Sequence, residues 1–343
     1  MRVMHGISTM RSVRTYHLPV IHDWADWRSI FTDSALWRPL IEEIWAAEPA
    51  LPAATGVEMP ARVESGYPGT CAVFVVNRRV VVKLFPPMLP HDFEKEFTAH
   101  HLLKRDGLPI PTLLAEGTIH DRIDWPYLIL AYVPGEAWRD CDQDLRSGEQ
   151  VNILKELGGI IRAVHAVPLP PAGDWPSVGA WQLLVDARLP LVADELRQQT
   201  ALSPQIIEEI DRLLVSIDWS AYRPCLCHAD LTEDHLLLSQ ESGRWQIAGL
   251  IDWADVEVAP PFYEWVTLWF SICRRRRDLF DAFLAGYDER SLATEISAGQ
   301  MLSFTFLHRF GAVILNDTLS PEEQRAIGSL RELEQRLFPR LLN

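Results

Sequence analysis

The chain has 343 residues, 48% hydrophobic and 23% charged: enough apolar material for packed cores, and a length that suggests about two domains at ~150 residues each. A formal net charge of −15 and a pI near 5.2 argue against a nucleic-acid binder, because neutralising phosphates takes clustered Lys and Arg. Five scattered cysteines are no disulfide framework and point to a reducing, cytoplasmic setting; Met1 to Thr15 lacks a secretory apolar core, and no run approaches ~18 apolar residues, so no membrane partner is expected.

From Asp23 to Glu48 apolar residues recur at helical spacing, with Asp33 and Ser34 as a cap between two helices and Trp27, Trp37 and Trp45 as core. Pro49, Pro52 and Pro60 are expected to end helical structure. The period then changes. Cys71–Val76 and Val80–Phe85 are β-branched runs separated by Asn77-Arg78-Arg79, which predicts a hairpin, preceded by a loop over 64–70 that contains Gly66 and Gly69. A loop of that kind can bring its backbone up to a phosphate, and it is equally an ordinary turn.

Lys83 interrupts an apolar strand. It is either an edge-strand lysine reaching solvent or an ammonium held by a carboxylate on a neighbouring helix. Asp92–Lys104 supplies such a helix, with Glu94 and Glu96 near its start. Gly107–Pro111 stops that helix, and Trp125–Val133 reads as a further strand closed by Pro134-Gly135. Asp140–Glu149 is expected as a loop. Val151–Val164 is a helix whose Gly158-Gly159 cost about 1 kcal/mol each unless another helix packs closely there. His165 is read as a packing histidine and Pro168–Pro176 as a linker. Helices are expected at 180–198 and 204–217, and across 262–290, 293–315 and 320–340, with Arg274–Arg277 as a solvated helix face.

Between these helices lies Cys227-His228-Ala229-Asp230, followed by His235, the apolar run Leu236-Leu237-Leu238, a polar turn at 239–244, and Leu250-Ile251-Asp252-Trp253. Cys225 and Cys227 alternate with Leu226 and His228 as core strand residues do. Folding the two apolar runs as a hairpin would set the loop of His228 and Asp230 beside Asp252. Two carboxylates on strand ends can divide the work, one accepting a proton and one holding a divalent cation. The order His-x-Asp, a ligand five residues on, then a further Asp is that of the phosphoryl-transfer site in protein-kinase-like folds.

With Val82-Lys83-Leu84-Phe85, Leu108-Pro109-Ile110-Pro111, Trp125-Pro126-Tyr127-Leu128, His228-Ala229-Asp230 and Ile251-Asp252 in this order, the chain resembles the aminoglycoside O-phosphotransferases, and within them the hygromycin B kinases. The resemblance runs from about Leu36 to His308. It implies an α+β, two-lobed protein-kinase-like fold: a β-rich N-lobe with leading helices over 1–133 and a mostly helical C-lobe over 134–343. It implies ATP or GTP as phosphate donor, Mg2+ as cofactor, and a small cationic acceptor, with hygromycin B the candidate. It also implies a chain that is a monomer or weak dimer.

Carried over by position, Asp230 orients the acceptor hydroxyl and can take its proton, and Asp252 binds magnesium. Lys83 holds the phosphates, positioned by Glu96 with Glu94 as the fallback. Gly66 lies in the phosphate loop, and the backbone of Ala131 and Val133 meets the purine. His228 braces the loop. His235 stands where the family has an asparagine metal ligand; either it contacts the metal, or Asp234 or water supplies the oxygen. Ala259-Pro260-Pro261 departs from the family's Gly-Asp-Pro. Asp255, Glu257 and Glu264 are the candidate substrate-binding carboxylates, with a solvated surface the alternative for Asp255 and Glu257 and a structural role the alternative for Glu264. Other functions left open are a kinase of a macrolide, amino alcohol or sugar, a nucleotide-binding pseudokinase, and a metal hydrolase using His228, Asp230, His235 and Asp252.

Overall fold

The structure is a computed structural model that describes residues 20–66, 69–86, 88–104, 107–121, 123–169, 181–287 and 297–339. These fall into two compact units. One ends at Gly135 and takes back Gly249–Ala254; the other comprises Glu136–Ala248 and the chain from Asp255 onward.

The first unit opens with helices α1 (Trp24–Ile30), α2 (Ser34–Ala47) and α3 (Ala50–Thr55). Asp33 caps α2 by accepting the N–H groups of Ala35 and Leu36. Helix α2 ends just before Pro49 and the chain at Pro60 is not helical, as expected, but Pro49 and Pro52 also open a short helix, at the N-cap and in the first turn of α3, where a missing N–H is no loss.

Strands β1 (Val63–Ser65), β2 (Ala72–Val76), β3 (Val80–Leu84), β4 (Leu113–Asp121) and β5 (Ile123–Ala131) form one antiparallel sheet of order β1-β2-β3-β5-β4. Helix α4 (Pro90–Leu102) lies between β3 and β4 in the chain. Asn77 and Arg78 take φ of 51° and 52°, which turns β2 into β3 in the sense that matches strand twist. Glu64 and Ser65, expected in a loop, pair with Val75 and Phe74, because the edge of β2 offers backbone groups that a strand can satisfy. Tyr67 and Pro68 lie outside the described residues. Trp27, Trp37, Trp125 and Phe74 are fully or almost fully buried, with ring centroids 5.7 to 6.3 Å apart.

The second unit begins with β6 (Glu136–Ala137), α5 (Trp138–Cys141) and α6 (Ser147–His165). The expected loop over 140–149 is thus largely helical. Glu149 accepts the Arg146 N–H at 2.9 Å, and that cap starts α6 four residues before the apolar stripe. Helices α7 (Trp181–Gln199) and α8 (Pro204–Val215) follow; the expected linker falls mostly outside the described residues. Next come β7 (Cys225–Cys227), β8 (Leu236–Glu241), β9 (Arg244–Leu250) and β10 (Glu257–Ala259). The hairpin turn is shorter than expected, Ser242 and Gly243 alone, since both adopt positive φ and let 239–241 remain paired as strand. β7 pairs with β10, and β8 lies between β6 and β9.

Helices α9 (Pro261–Phe270), α10 (Arg277–Tyr287), α11 (Ala298–Leu307), α12 (Gly311–Thr318), α13 (Pro321–Ala326) and α14 (Leu330–Leu337) complete the unit. Of the run Arg274–Arg277 only Arg277 lies on a helix, as the first residue of α10. Arg274 and Arg275 have φ of 46° and 59° and turn α9 into α10, with Arg274 bonded to Asp142 and Glu233. Gly158 of α6 is explained by α10, whereas a Cβ on Gly159 would make only an ordinary 3.9 Å contact with the Gly286 carbonyl. A Cβ on Gly158 would lie 2.1 Å from the Phe283 carbonyl, and one on Gly286 1.8 Å from that of Lys155. Among the described residues no helix is long and apolar enough to cross a membrane.

Candidate functional site

In the first unit β3 is the third of five strands, so Lys83 is no edge residue; it is 4% exposed. Its Nζ lies 2.6 Å from Glu96 Oε2 on α4 and 2.7 Å from Asp252 Oδ1. Glu96 is buried, whereas Glu94, the fallback, is half exposed beside His91. Burial alone would lower the Lys83 pKa, but the charges of Asp252 and Glu96 outweigh it and hold the ammonium well above its usual range. Asp252 has φ of 63°, a left-handed geometry that costs a non-glycine residue about 1–3 kcal/mol. Neighbouring contacts enforce it: the Leu250 N–H donates to the Pro109 carbonyl at 2.7 Å, and the buried Trp253 ring donates to the Leu250 carbonyl at 3.2 Å.

Gly66 follows β1. Its N–H donates to Val73 O at 2.7 Å, and a Cβ there would meet Val73 Cγ1 at 2.8 Å, so close approach to β2 already accounts for the glycine. The Ala131 N–H donates to Thr112 O at 2.8 Å. A purine contact from Ala131 therefore has to run through its carbonyl, not its N–H. Val133 packs near Gly249, where a Cβ would come within 2.9 Å of Val133 Cγ1.

In the second unit the segment 228–235 is held by α9. Glu264 Oε2 accepts the Ala229 N–H at 3.3 Å, Thr267 Oγ1 accepts the Leu231 N–H at 3.1 Å, and Ser271 Oγ accepts the Glu233 N–H at 3.0 Å. Those residues sit at i, i+3 and i+7, one face of the helix. Ala229 has φ of 62°, and its carbonyl receives His308 Nε2 at 3.1 Å. His308 Nδ1 accepts the Phe310 N–H, so the ring carries its proton on Nε2. Burial, helped by the Arg309 charge, depresses the His308 pKa to about 3 and keeps it neutral. His228 braces the turn as expected, its Nδ1 accepting the Asp230 N–H at 3.3 Å.

These contacts bear on three carboxylates and on His235. Glu264 is fully buried and accepts the Ala229 N–H, which fits the structural alternative. Asp234 pairs with Arg139, and Asp255 with Arg309, so each carries a cation of its own. Glu257 is half buried on β10 opposite Cys227. His235 Nδ1 donates to the Asp230 carbonyl at 2.8 Å, leaving Nε2 as the ring nitrogen that offers a lone pair. Imidazole is a poor donor for magnesium, which prefers oxygen. The Asp252 carboxylate, 40% exposed, suits such a hard cation; His235 does not.

Thr267, Ser271 and His308 escaped the reading of the sequence as site residues. A polar stripe at 264, 267 and 271 within an apolar helix was the available signal for the first two; a lone buried histidine gives none.

Residues 62–296 match the family model described as APH, phosphotransferase enzyme family. Solved structures of similar fold include the GDP complex of a mutant aminoglycoside 2'-phosphotransferase-IIIa, with TM-score 0.61, 19% identity, and coverage of 86% of this chain and 97% of that one. Another is a thermostable mutant of aminoglycoside phosphotransferase APH(4)-Ia in ternary complex with ADP and hygromycin B, with TM-score 0.53, 18% identity, and coverage of 85% and 96%. At such identities the likeness is one of fold. Among curated proteins, mouse (Mus musculus) acyl-CoA dehydrogenase family member 10 is 24% identical over 204 residues, 56% of this chain. Lysine-specific demethylase JMJ21 of Arabidopsis thaliana is 22% identical over 222 residues, 54% of this chain. The matched region spans only 18% and 23% of those two proteins.

Proposed function

This chain belongs to the APH phosphotransferase enzyme family, and from that premise we propose that it is a small-molecule O-kinase moving the γ-phosphate of ATP or GTP to a hydroxyl of an aminoglycoside. Hygromycin B is the first candidate. The observation that carries the reading is the buried ion cluster in which Lys83 bridges Glu96 at 2.6 Å and Asp252 at 2.7 Å. A lysine sealed into the middle of a sheet, with one carboxylate buried behind it and one partly open to solvent, is a fixed positive charge made for phosphate oxygens.

In this reading residues 1–133 serve the nucleotide and 134–343 the acceptor, with Asp252 serving the nucleotide side. Lys83 holds the phosphates, Glu96 positions it, and Gly66 lies in the phosphate loop. The Ala131 carbonyl and the Val133 backbone meet the purine. Asp252 is the residue that would hold magnesium, whose chemistry when bound is to neutralise charge on the phosphates. Asp230 orients the acceptor hydroxyl and takes its proton, while His235 fixes Asp230 through its backbone carbonyl. Glu257 is the remaining candidate for a cationic acceptor.

A second reading, a kinase for a less cationic metabolite such as a macrolide or a sugar, draws support from the pairing of Asp255 with Arg309 and the burial of Glu264. The first neutralises, and the second hides from solvent, a carboxylate expected to attract a polycation.

The test is phosphorylation of a panel of aminoglycosides, macrolides and sugars with ATP or GTP and magnesium, read by mass spectrometry. The expected result is a stoichiometric phosphorylated aminoglycoside that Asp230→Ala abolishes. Product from the other classes alone selects the second reading, and full activity in Asp230→Ala overturns the assigned chemistry.

A further inference from the structure

Directly before the segment that carries Asp230 is a cluster that phosphoryl transfer does not use. Cys225 and Cys227 lie on one face of β7, as alternate strand residues do, with their sulfurs 3.7 Å apart. His165 is the last residue of α6, and a nitrogen of its ring lies within 4.8 Å of both sulfurs. Glu264 of α9 joins from a third element, its Oε2 3.8 Å from that nitrogen.

Packing alone leaves this arrangement incomplete. Among the described residues His165 Nε2, on a side chain 4% exposed, has no hydrogen-bond partner, and neither has Oε1 of the fully buried Glu264. Buried polar atoms are rarely left so, and here two of them adjoin two thiols. Both thiols point at the Ala259 carbonyl, at 3.4 and 3.2 Å, and Cys227 also at the Pro260 carbonyl at 3.7 Å. Long contacts from two weak donors to backbone carbonyls are a small return for four converging ionisable groups.

We propose that His165, Cys225 and Cys227, with Glu264 as the carboxylate available for a fourth position, form a structural site for zinc or a similarly soft divalent metal. Tetrahedral zinc with Zn–S bonds of about 2.3 Å sets its sulfurs about 3.8 Å apart, close to the spacing already present. Two thiolates and an imidazole are soft to borderline donors that suit zinc and reject magnesium, so this site and the one assigned to Asp252 would not compete for the same ion. Zinc enters as the cation and the two thiol protons leave, which keeps the buried charge near balance. His165 Nδ1 stands 2.8 Å from the Tyr287 hydroxyl, which fixes the ring and leaves Nε2 as the nitrogen that would take the metal. The metal would tie α6, β7 and α9 together at the root of the loop 228–235.

The experiment uses the full chain without a histidine tag, purified under reducing conditions. Metal content is measured directly, and the stripped protein is then titrated with cobalt. The expected result is about one zinc per chain, and on cobalt a thiolate charge-transfer band with the intense visible bands of tetrahedral coordination. Cys225→Ser and Cys227→Ser should each lose both bands, and His165→Gln should weaken binding at least tenfold. If the serine variants fail to fold, X-ray absorption on the wild-type zinc protein decides, with two sulfurs near 2.3 Å expected. Wild-type protein that takes up neither ion stoichiometrically, binds zinc without sulfur ligands, or carries a Cys225–Cys227 disulfide as isolated overturns the proposal. None of these readouts depends on kinase activity, so the outcome is separate from that of the phosphorylation test.

Discussion

Replacing Lys83 by Met should destabilise the protein for a reason separate from nucleotide binding. Glu96 is 1% exposed and 2.6 Å from Lys83 Nζ, so the variant leaves a carboxylate buried without its cation. Loss of one partner of a buried pair costs about 3–5 kcal/mol. The Asp252 contact adds little, about 1 kcal/mol at most, because that side chain is 40% exposed and water takes over its solvation. Removing the second charge should therefore restore most of the loss: Lys83→Met with Glu96→Gln should lie within about 2 kcal/mol of wild type. Urea melts followed by circular dichroism on the four proteins give the coupling energy directly. Nucleotide binding, read by calorimetry, should be lost in both Lys83→Met proteins alike. A coupling energy within about 0.5 kcal/mol of zero would refute the claim that the two charges are an interdependent buried pair. Wild-type nucleotide affinity in the double variant would refute the role of Lys83.

Two further outcomes concern the loop. Thr267→Val keeps the shape of the side chain but leaves the buried Leu231 N–H without its acceptor. It should cost about 1–3 kcal/mol and lower kcat more than it raises KM, whereas an unchanged melt would mean that the loop re-satisfies this group elsewhere. The pH dependence should carry the signature of His308. Its folded pKa is depressed to about 3 while its unfolded value is near 6.5, so the unfolded chain binds the proton first. Its contribution to stability is whole above about pH 6.5 and is lost as pH falls toward 3, at about 1.4 kcal/mol per pH unit. The difference between wild type and His308→Gln should shrink with that slope on acidification, and parallel curves would show that the ring is not held neutral.

Local signals in the sequence were sufficient for the α+β layout. β-branched runs around Asn77 announced the β2–β3 hairpin, the stripe over 151–164 announced α6, and Gly158 within that stripe announced a close helix neighbour. They also singled out Lys83, because a lysine in an apolar strand is anomalous wherever the strand lies. What they could not decide was which charges meet. Lys83 and Asp252 are separated by 169 residues, and Ala229 and His308 by 79. Such contacts depend on sheet order and helix packing, which leave no periodic trace. Glu94 and Glu96 are two residues apart and equally acidic, and only the rotation of α4 over the sheet chose Glu96. Glu264, Thr267 and Ser271 lie along a single helix face, yet only the packing of α9 beneath the loop turned them inward to its N–H groups. Periodicity specifies which residues share a face; the burial of that face, and the partner set against it, exist only once the chain has folded.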